Sequence, residues 1–484
     1  MTPRRILRFL ALAVLVLSQC GCAIPLGPGF YAEKELLEVR YVPGAPPHLE
    51  IRATFTLENS GDRPLDSIDV SLPDEKDFGR AHLRIEVDGA LLSPQPSPDA
   101  PESTSRIALH APWPQKTVHT LVISYDLMKS LDFGPSVGTG DFAFYLPTSD
   151  WYPLLRAPKG LFAKGDARPK RFDLSVRVPD GFLVHAAGHP QGKKRRAGES
   201  EFRFRIAEQS FSPFVLSGRF HEQQYKDSNG TVLFWTLQPL PADQVQRAGP
   251  PLASAAKNFA TLFGPLGPGS RHLPMRVVEW GFPQETARPN SGAAVFHHFP
   301  AGALINPGGF ALGVASEDFL TLVEQSWPWT WARDVARPGP GADETLRHAL
   351  TQYAAMFAEF SRSNHTTRQF RIRTCLRSFD ILSATTKEIP VALLRRNDED
   401  VQYAIGNCKT TLFLVALEDE IGRDKLHRAL RRMIQGLRGS TYGFTDLRAA
   451  LEVESGKDLG EIFRAWLNQP GIPANLRKTY QERE

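Results

Sequence analysis

The chain is short of the residues from which metal centres and redox frameworks are made. Its 484 residues include 4 cysteines and 13 histidines, and no two cysteines stand as CxxC, so a cysteine metal motif is excluded. It has no Gly-rich phosphate loop and no GxSxG elbow, which leaves no local signature for nucleotide binding or for a serine nucleophile. Charge of one sign is scarce as well. Lys+Arg 57 against Asp+Glu 53 leaves a formal net charge of +4. The basic residues are scattered, so nothing points to nucleic acid as a partner. The run Lys193-Lys194-Arg195-Arg196 reads as an exposed turn. What is present is an ordinary globular composition, 42% hydrophobic and 23% charged, on a chain long enough for two or three domains and a large core.

Residues 1–22 read as an export leader. Arg4, Arg5 and Arg8 form a basic n-region, and Phe9 to Leu17 is an apolar run too short for a membrane span. Ser18-Gln19-Cys20-Gly21-Cys22 follows. Small residues and cysteine after an apolar run resemble a bacterial lipoprotein signal, in which the cysteine becomes the lipidated first residue. Cys22 is the favoured lipidation site, Cys20 is the alternative, and a plain secretory signal also fits. The mature protein is therefore expected outside the cytoplasm, in the cell envelope, with a lipid tethering it to a membrane face. Cys375 and Cys408 are then the remaining cysteines. In an oxidising compartment they can pair, and the sequence leaves open whether their geometry allows it.

From residue 30 to about 225 the pattern is strand-rich. His48 to Leu57 alternates apolar and polar with period two, and Asn59-Ser-Gly-Asp-Arg-Pro64 is a turn cluster. Similar runs recur at Ser67–Leu72, His82–Val87, His119–Tyr125, Phe172–Val178, Glu201–Ile206 and Pro213–Phe220. Pro-rich Ser93–Pro101 reads as a loose loop. Many short strands between Pro and Gly turns predict an antiparallel β-sandwich or saddle.

Beyond 226 strands and helices mix. Thr231–Leu237 and Met275–Trp280 read as strands, and Gly249-Pro250-Pro251 as a break before a helix over Leu252–Phe263. Asp318–Trp331 has apolar residues at helical spacing, with Pro328 set to kink or end it. Asp343 is placed to N-cap the following helix. Arg368–Val391 shows no clear pattern. Helices are expected over Lys409–Glu420, Asp424–Gly436 and Phe444–Ser455, with Leu459–Leu467 as the last. The class is α+β: an N-terminal antiparallel β-sandwich or saddle domain over 23–225, then a mixed α/β, mostly helical domain over 226–478.

Several stretches, in order, resemble the aminopeptidase N-like zinc metallopeptidases, the gluzincin group. Asp150-Trp151-Tyr152-Pro153 and Phe172–Phe182 are similar to that family's β domain. Gly302-Ala303-Leu304-Ile305-Asn306 stands where the family has GxMEN on an edge strand. Val323-Glu324-Gln325-Ser326-Trp327 stands at HExxH, and Thr345–Tyr353, reading TLRHALTQY, stands at WLxEGFAxY. Asn407-Cys408-Lys409-Thr410 matches a YxKG-like motif. FTDLRAALEVESGKDLGEIFRAWLNQPGIP, from Phe444, closely resembles the segment after the active site. The resemblance implies a thermolysin-like second domain; the large C-terminal helical domain of longer members is expected to be absent.

The same alignment implies lost chemistry. In HExxH two His at i and i+4 share one helix face and grip zinc, a Glu from the next helix completes the set, and the HExxH Glu takes a proton from zinc-bound water. Here Val323 and Trp327 occupy the His positions, and neither side chain ligates zinc. Glu324 keeps the general-base position. His348 falls at the third ligand's place, after a longer gap. Ile305 replaces the Glu that holds a substrate's amino terminus, while Gly302, Ala303 and Asn306 keep the outline of the substrate-binding strand. Asn407 stands where a Tyr would sit beside the oxyanion, with Tyr403 one helical turn earlier. His297 and His298, adjacent on a predicted strand, point to opposite faces and do not chelate one ion together.

The expectation is an inactive pseudo-peptidase without bound zinc, acting through a peptide or protein ligand in the old cleft or as an assembly subunit. An alternative is an active metal-dependent peptidase with a site rebuilt from Glu324, His348 and Asp343 or Glu344. A third reading, favoured by the bulk of Trp327 and Trp329, is a purely structural envelope protein with a filled cleft.

Overall fold

The structure is a computed structural model that describes residues 29–44, 47–97, 104–128, 144–146, 151–156, 169–206, 213–266, 273–280, 296–299, 301–306, 310–362, 365–395 and 398–481. The leader, with Cys20 and Cys22, lies outside the described residues. Contacts divide the chain into two compact units: Met1–Lys129 with Asp150–Val178 and Pro190–Ala207, and Ser130–Ser149 with Pro179–His189 and Glu208–Glu484.

The first unit is built of strands. An eight-stranded sheet runs in the order 189–196, 199–206, 171–179, 30–42, 48–59, 118–127, 80–87, 90–92. Period two decides the faces: Leu37, Val39 and Tyr41 are buried, as are Ala53, Phe55 and Leu57 on the neighbouring strand, while the residues between them are partly exposed. The pairing is not wholly antiparallel as expected, because Phe30–Val42 and Arg171–Pro179 run parallel. The basic run at 193–196 is not a turn. It belongs to the edge strand His189–Arg196, where exposed Lys and Arg discourage another strand from adding on. A four-stranded sheet holds Leu154–Leu155, Leu65–Ser71, Thr104–Trp113 and Gln95–Pro96. That last strand lies in the stretch read as a loose loop, of which 98–101 is outside the described residues. Trp151 is fully buried, and its carbonyl accepts from the Tyr125 hydroxyl at 2.9 Å.

The second unit has a three-stranded sheet, 183–186, 215–218, 144–146, and a five-stranded one, 221–226, 231–236, 275–279, 302–305, 296–299. The inner strands of the larger sheet pair in parallel and are buried on both faces, which is why they read as continuous apolar runs such as Val232-Leu233-Phe234-Trp235. Around them pack the helices Ala242–Phe263, Glu317–Ser326, Ala342–Arg362, His365–Thr385, Asp400–Ile421, Arg423–Gly436 and Phe444–Ser455. Two expectations need correction, and one unassigned stretch gains an element. Gly249-Pro250-Pro251 is no break, since Ala242–Phe263 runs straight through it; Gly249 is required there because a Cβ would lie 2.0 Å from the Tyr225 ring. Of the unassigned stretch Arg368–Val391, residues 368–385 belong to the helix His365–Thr385. Leu459–Leu467 is a helical turn, Gly460–Phe463, leading into a π-turn, and the helix Ala474–Gln481 follows it. Among the described residues no helix is long and apolar enough to cross a membrane.

Candidate active site

The helix Glu317–Ser326 starts at Ser316, whose hydroxyl accepts from the Phe319 amide at 3.2 Å, and Glu317 and Asp318 complement the dipole of its first turn. Phe319, Leu320 and Val323 lie on its buried face. Pro328 brings no N–H to the ladder, and the α-helix ends at Ser326. The chain resumes as a π-turn, Thr330–Val335. Val323 and Trp327 are both 0% exposed. The Trp327 ring nitrogen donates to the Arg276 carbonyl at 3.2 Å. Trp331 packs near Phe259 and Phe263, with ring centroids 6.0 and 6.1 Å away, and its ring nitrogen donates to the Gly264 carbonyl at 2.8 Å. Val323 and Trp327, which the sequence resemblance sets against zinc histidines, are therefore part of a close-packed apolar core.

Glu324 sits between them at 1% exposure. The next residue reveals a network that the sequence did not signal. With its amide oxygen facing the guanidinium, Gln325 accepts from both Arg371 Nη atoms at 3.0 and 3.1 Å. Arg371 Nε donates to Glu359 Oε2 at 2.6 Å. One guanidinium thus ties three helices together. On the π-turn, burial pushes the Asp334 carboxyl up to about 7, against the opposing pull of Arg333 and Arg337.

The Gly302–Ile305 strand is not at an edge. It pairs with Met275–Glu279 on one side and Phe296–Phe299 on the other, and all four of its residues are buried. No sheet edge is left on it to receive an extended peptide. Ala301 enters the strand at φ 62°, an unfavourable conformation for a residue with a Cβ, and its N–H donates to Thr330 Oγ1 at 3.2 Å. Asn306 is half-buried. His297 and His298 lie on Phe296–Phe299, and their side chains are outside the described residues.

The helix Ala342–Arg362, which carries His348, packs on Glu317–Ser326. Asp343 does not cap it from outside. It lies within the first turn, and its carboxylate accepts from the Phe444 amide at 3.1 Å, serving the start of another helix. Glu344 accepts from Arg347 at 2.8 Å, and that guanidinium lies 4.3 Å from the Trp329 ring centre. Tyr403 donates its hydroxyl to the Arg395 carbonyl at 2.9 Å; Asn407 is half-buried. Among the described residues no three His, Cys, Asp or Glu side chains come together as a metal-holding group. Val and Trp side chains offer zinc no donor, so Val323 and Trp327, set at ligand positions by the sequence resemblance, do not fit the ion.

Burial, with Arg347 adding to it, pulls His348 down to about 4. Below its ordinary pKa near 6.5 the unfolded chain takes up a proton that the native state refuses. Stability is therefore expected to fall as pH drops from about 6.5 to about 4, by roughly 2–3 kcal/mol from this residue. His427, also lowered to about 4, acts in the same direction, and Asp334 acts against both. The clean readout is the difference between the chain and His348→Gln in urea unfolding across that window. An unchanged slope in the variant would show that His348 is not buried as a neutral ring.

No protein-family model matches this chain, and no curated protein matches it. Solved structures do. The M1 zinc metallopeptidase of Deinococcus radiodurans superposes with a TM-score of 0.60 at 15% identity, over 92% of this chain and 95% of that one. A mutant of it bound to a Tyr-Ser-Ala substrate gives 0.60 at 16%, with coverage of 92% and 95%. Legionella pneumophila aminopeptidase A, in complex with aspartic acid, gives 0.63 at 14%, over 90% of this chain and 49% of that one. At such identities the likeness shows the fold, a β-rich N-terminal domain followed by a helical one, and function has to be argued from the site.

Proposed function

We propose that this chain, which has the fold of the M1 zinc metallopeptidases, is a pseudo-peptidase of the cell envelope that holds no catalytic zinc. The observation that carries the reading is the complete burial of Val323 and Trp327, with the indole nitrogen already donating to Arg276. Without a metal to acidify it, a water beside Glu324 stays a poor nucleophile. Ile305, buried and apolar, offers nothing to a peptide's ammonium group. The Tyr-Ser-Ala and aspartic acid complexes belong to the neighbours and lend this chain no substrate. A packed site favours a role as an assembly subunit over peptide capture at the old zinc position; a peptide or protein ligand elsewhere on the domain fits the same reading. Export and a lipid tether at Cys22 complete it.

The test is elemental analysis of the purified protein after growth with added zinc, alongside hydrolysis of aminoacyl nitroanilides and short peptides. Zinc far below stoichiometric and no cleavage above buffer are expected. Stoichiometric zinc, with cleavage abolished in Glu324→Ala, would establish a rebuilt site around Glu324 and His348 and overturn the proposal.

A further inference from the structure

The helices His365–Thr385 and Asp400–Ile421 pack side by side, and each brings one cysteine to the seam. Cys375 and Cys408 are both thiols, half-buried at the margin of the core. The two thiols lie near enough for each to act on the other's ionisation. We infer that Cys375 and Cys408 form a reversible disulfide that staples these two helices. Neighbouring thiols on two packed helices come to the S–S distance of about 2.05 Å by side-chain rotation.

Their surroundings differ. The neighbouring Cys408 thiol, helped by the Arg371 guanidinium one turn earlier, holds the Cys375 thiol below its ordinary range. The neighbouring Cys375 and burial push Cys408 up. Cys375 is thus the attacking thiolate. The oxidant is a disulfide, from a small thiol or from a protein. Cys375 Sγ attacks one of its sulfurs, the oxidant's S–S bond breaks, and the other half leaves as a thiol. Cys408 then gives up its proton and attacks Cys375 Sγ, expelling the second half. Two protein thiols become one disulfide, and the oxidant becomes two thiols.

The staple acts on more than its own seam. Arg371, on the stapled helix, holds Gln325 and Glu359, so closing the disulfide fixes the helix that braces Glu317–Ser326. This holds whether or not the chain cleaves peptides.

The full chain, reduced and freed of reductant, is incubated with oxidised glutathione and digested without reduction. A peptide carrying Cys375 linked to one carrying Cys408 is expected, with Tm raised by roughly 5–10 °C and restored by dithiothreitol. In Cys408→Ser a glutathione adduct persists on Cys375. In Cys375→Ser, Cys408 reacts about 10-fold more slowly or worse. Both serine variants melting near the reduced protein rule out misfolding as the cause. Glutathione adducts alone on the unmutated chain, both thiols still alkylatable at equilibrium, or a lowered Tm on linkage would each overturn the staple.

Discussion

Trp327→Ala is expected to lower the stability of the helical unit by about 3–5 kcal/mol. The side chain is 0% exposed, so its removal forfeits the transfer free energy of a whole indole and leaves a void that close-packed neighbours fill only in part. The Arg276 carbonyl also loses a donor at 3.2 Å, adding about 1 kcal/mol. Trp329→Ala is the control. That ring is half-buried beneath Arg347, and its loss is expected to cost about 1–2 kcal/mol. Trp327→His, which places there the residue implied by the sequence resemblance, is expected to destabilise as well, because an imidazole trades apolar contact for a polar group that needs a partner. It is also expected to bring no zinc, with Val323 still one turn earlier on the same face. Urea unfolding followed by helical circular dichroism measures all three. If Trp327→Ala stays within about 1 kcal/mol of the parent, the slot is not packed, and the pseudo-peptidase reading loses its main support.

Much of the fold could be read from local patterns, and the failures have identifiable causes. Phe444–Ser455 was legible because its start is chemically marked: the Asp446 carboxylate reaches back to the Gly443 amide at 2.9 Å. The long strands were legible through period two. His365–Thr385 was not. It buries Ile372, Leu376 and Phe379, at helical spacing, but also exposes Phe370 at 68% and Ile381 at 59%, and those two blur the stripe. Gly249-Pro250-Pro251 misled because tandem proline normally stops a helix, whereas here the helix around it is held against Tyr225 and the core. The inner placement of Gly302–Ile305 depends on which strand pairs outside it, a fact of tertiary assembly that no local signal carries. At the site, the sequence identifies Val323 and Trp327 as non-ligands; only the packing shows that the space is filled. Asp343 and Tyr403 looked available because their partners, the Phe444 amide and the Arg395 carbonyl, come from other segments.

Lys409→Met is expected to cost about 3–5 kcal/mol. Lys409 stands in the stretch that resembles the family's YxKG-like motif, where its retention beside Asn407 invites a catalytic reading. The structure gives it another task. The side chain is 0% exposed; Nζ donates to Glu388 Oε1 at 2.6 Å and to the Gln469 carbonyl. Glu388 Oε2 in turn accepts from the Gly471 amide. One ammonium thus fastens two segments, around 388 and around 469–471, to the helix Asp400–Ile421. Burial holds its pKa below the ordinary range, and the bond to Glu388 opposes that. Methionine matches the stem but strands Glu388 as a buried carboxylate without its counter-ion. Removing both charges, as Lys409→Met with Glu388→Leu, is expected to recover most of the loss, because the cost lies in the unmatched charge more than in the missing attraction. A single variant within about 1 kcal/mol of the parent would return Lys409 to the list of residues kept for chemistry. The expected result would assign this lysine to the fold: it holds two segments to one helix, whatever the neighbouring stretch does.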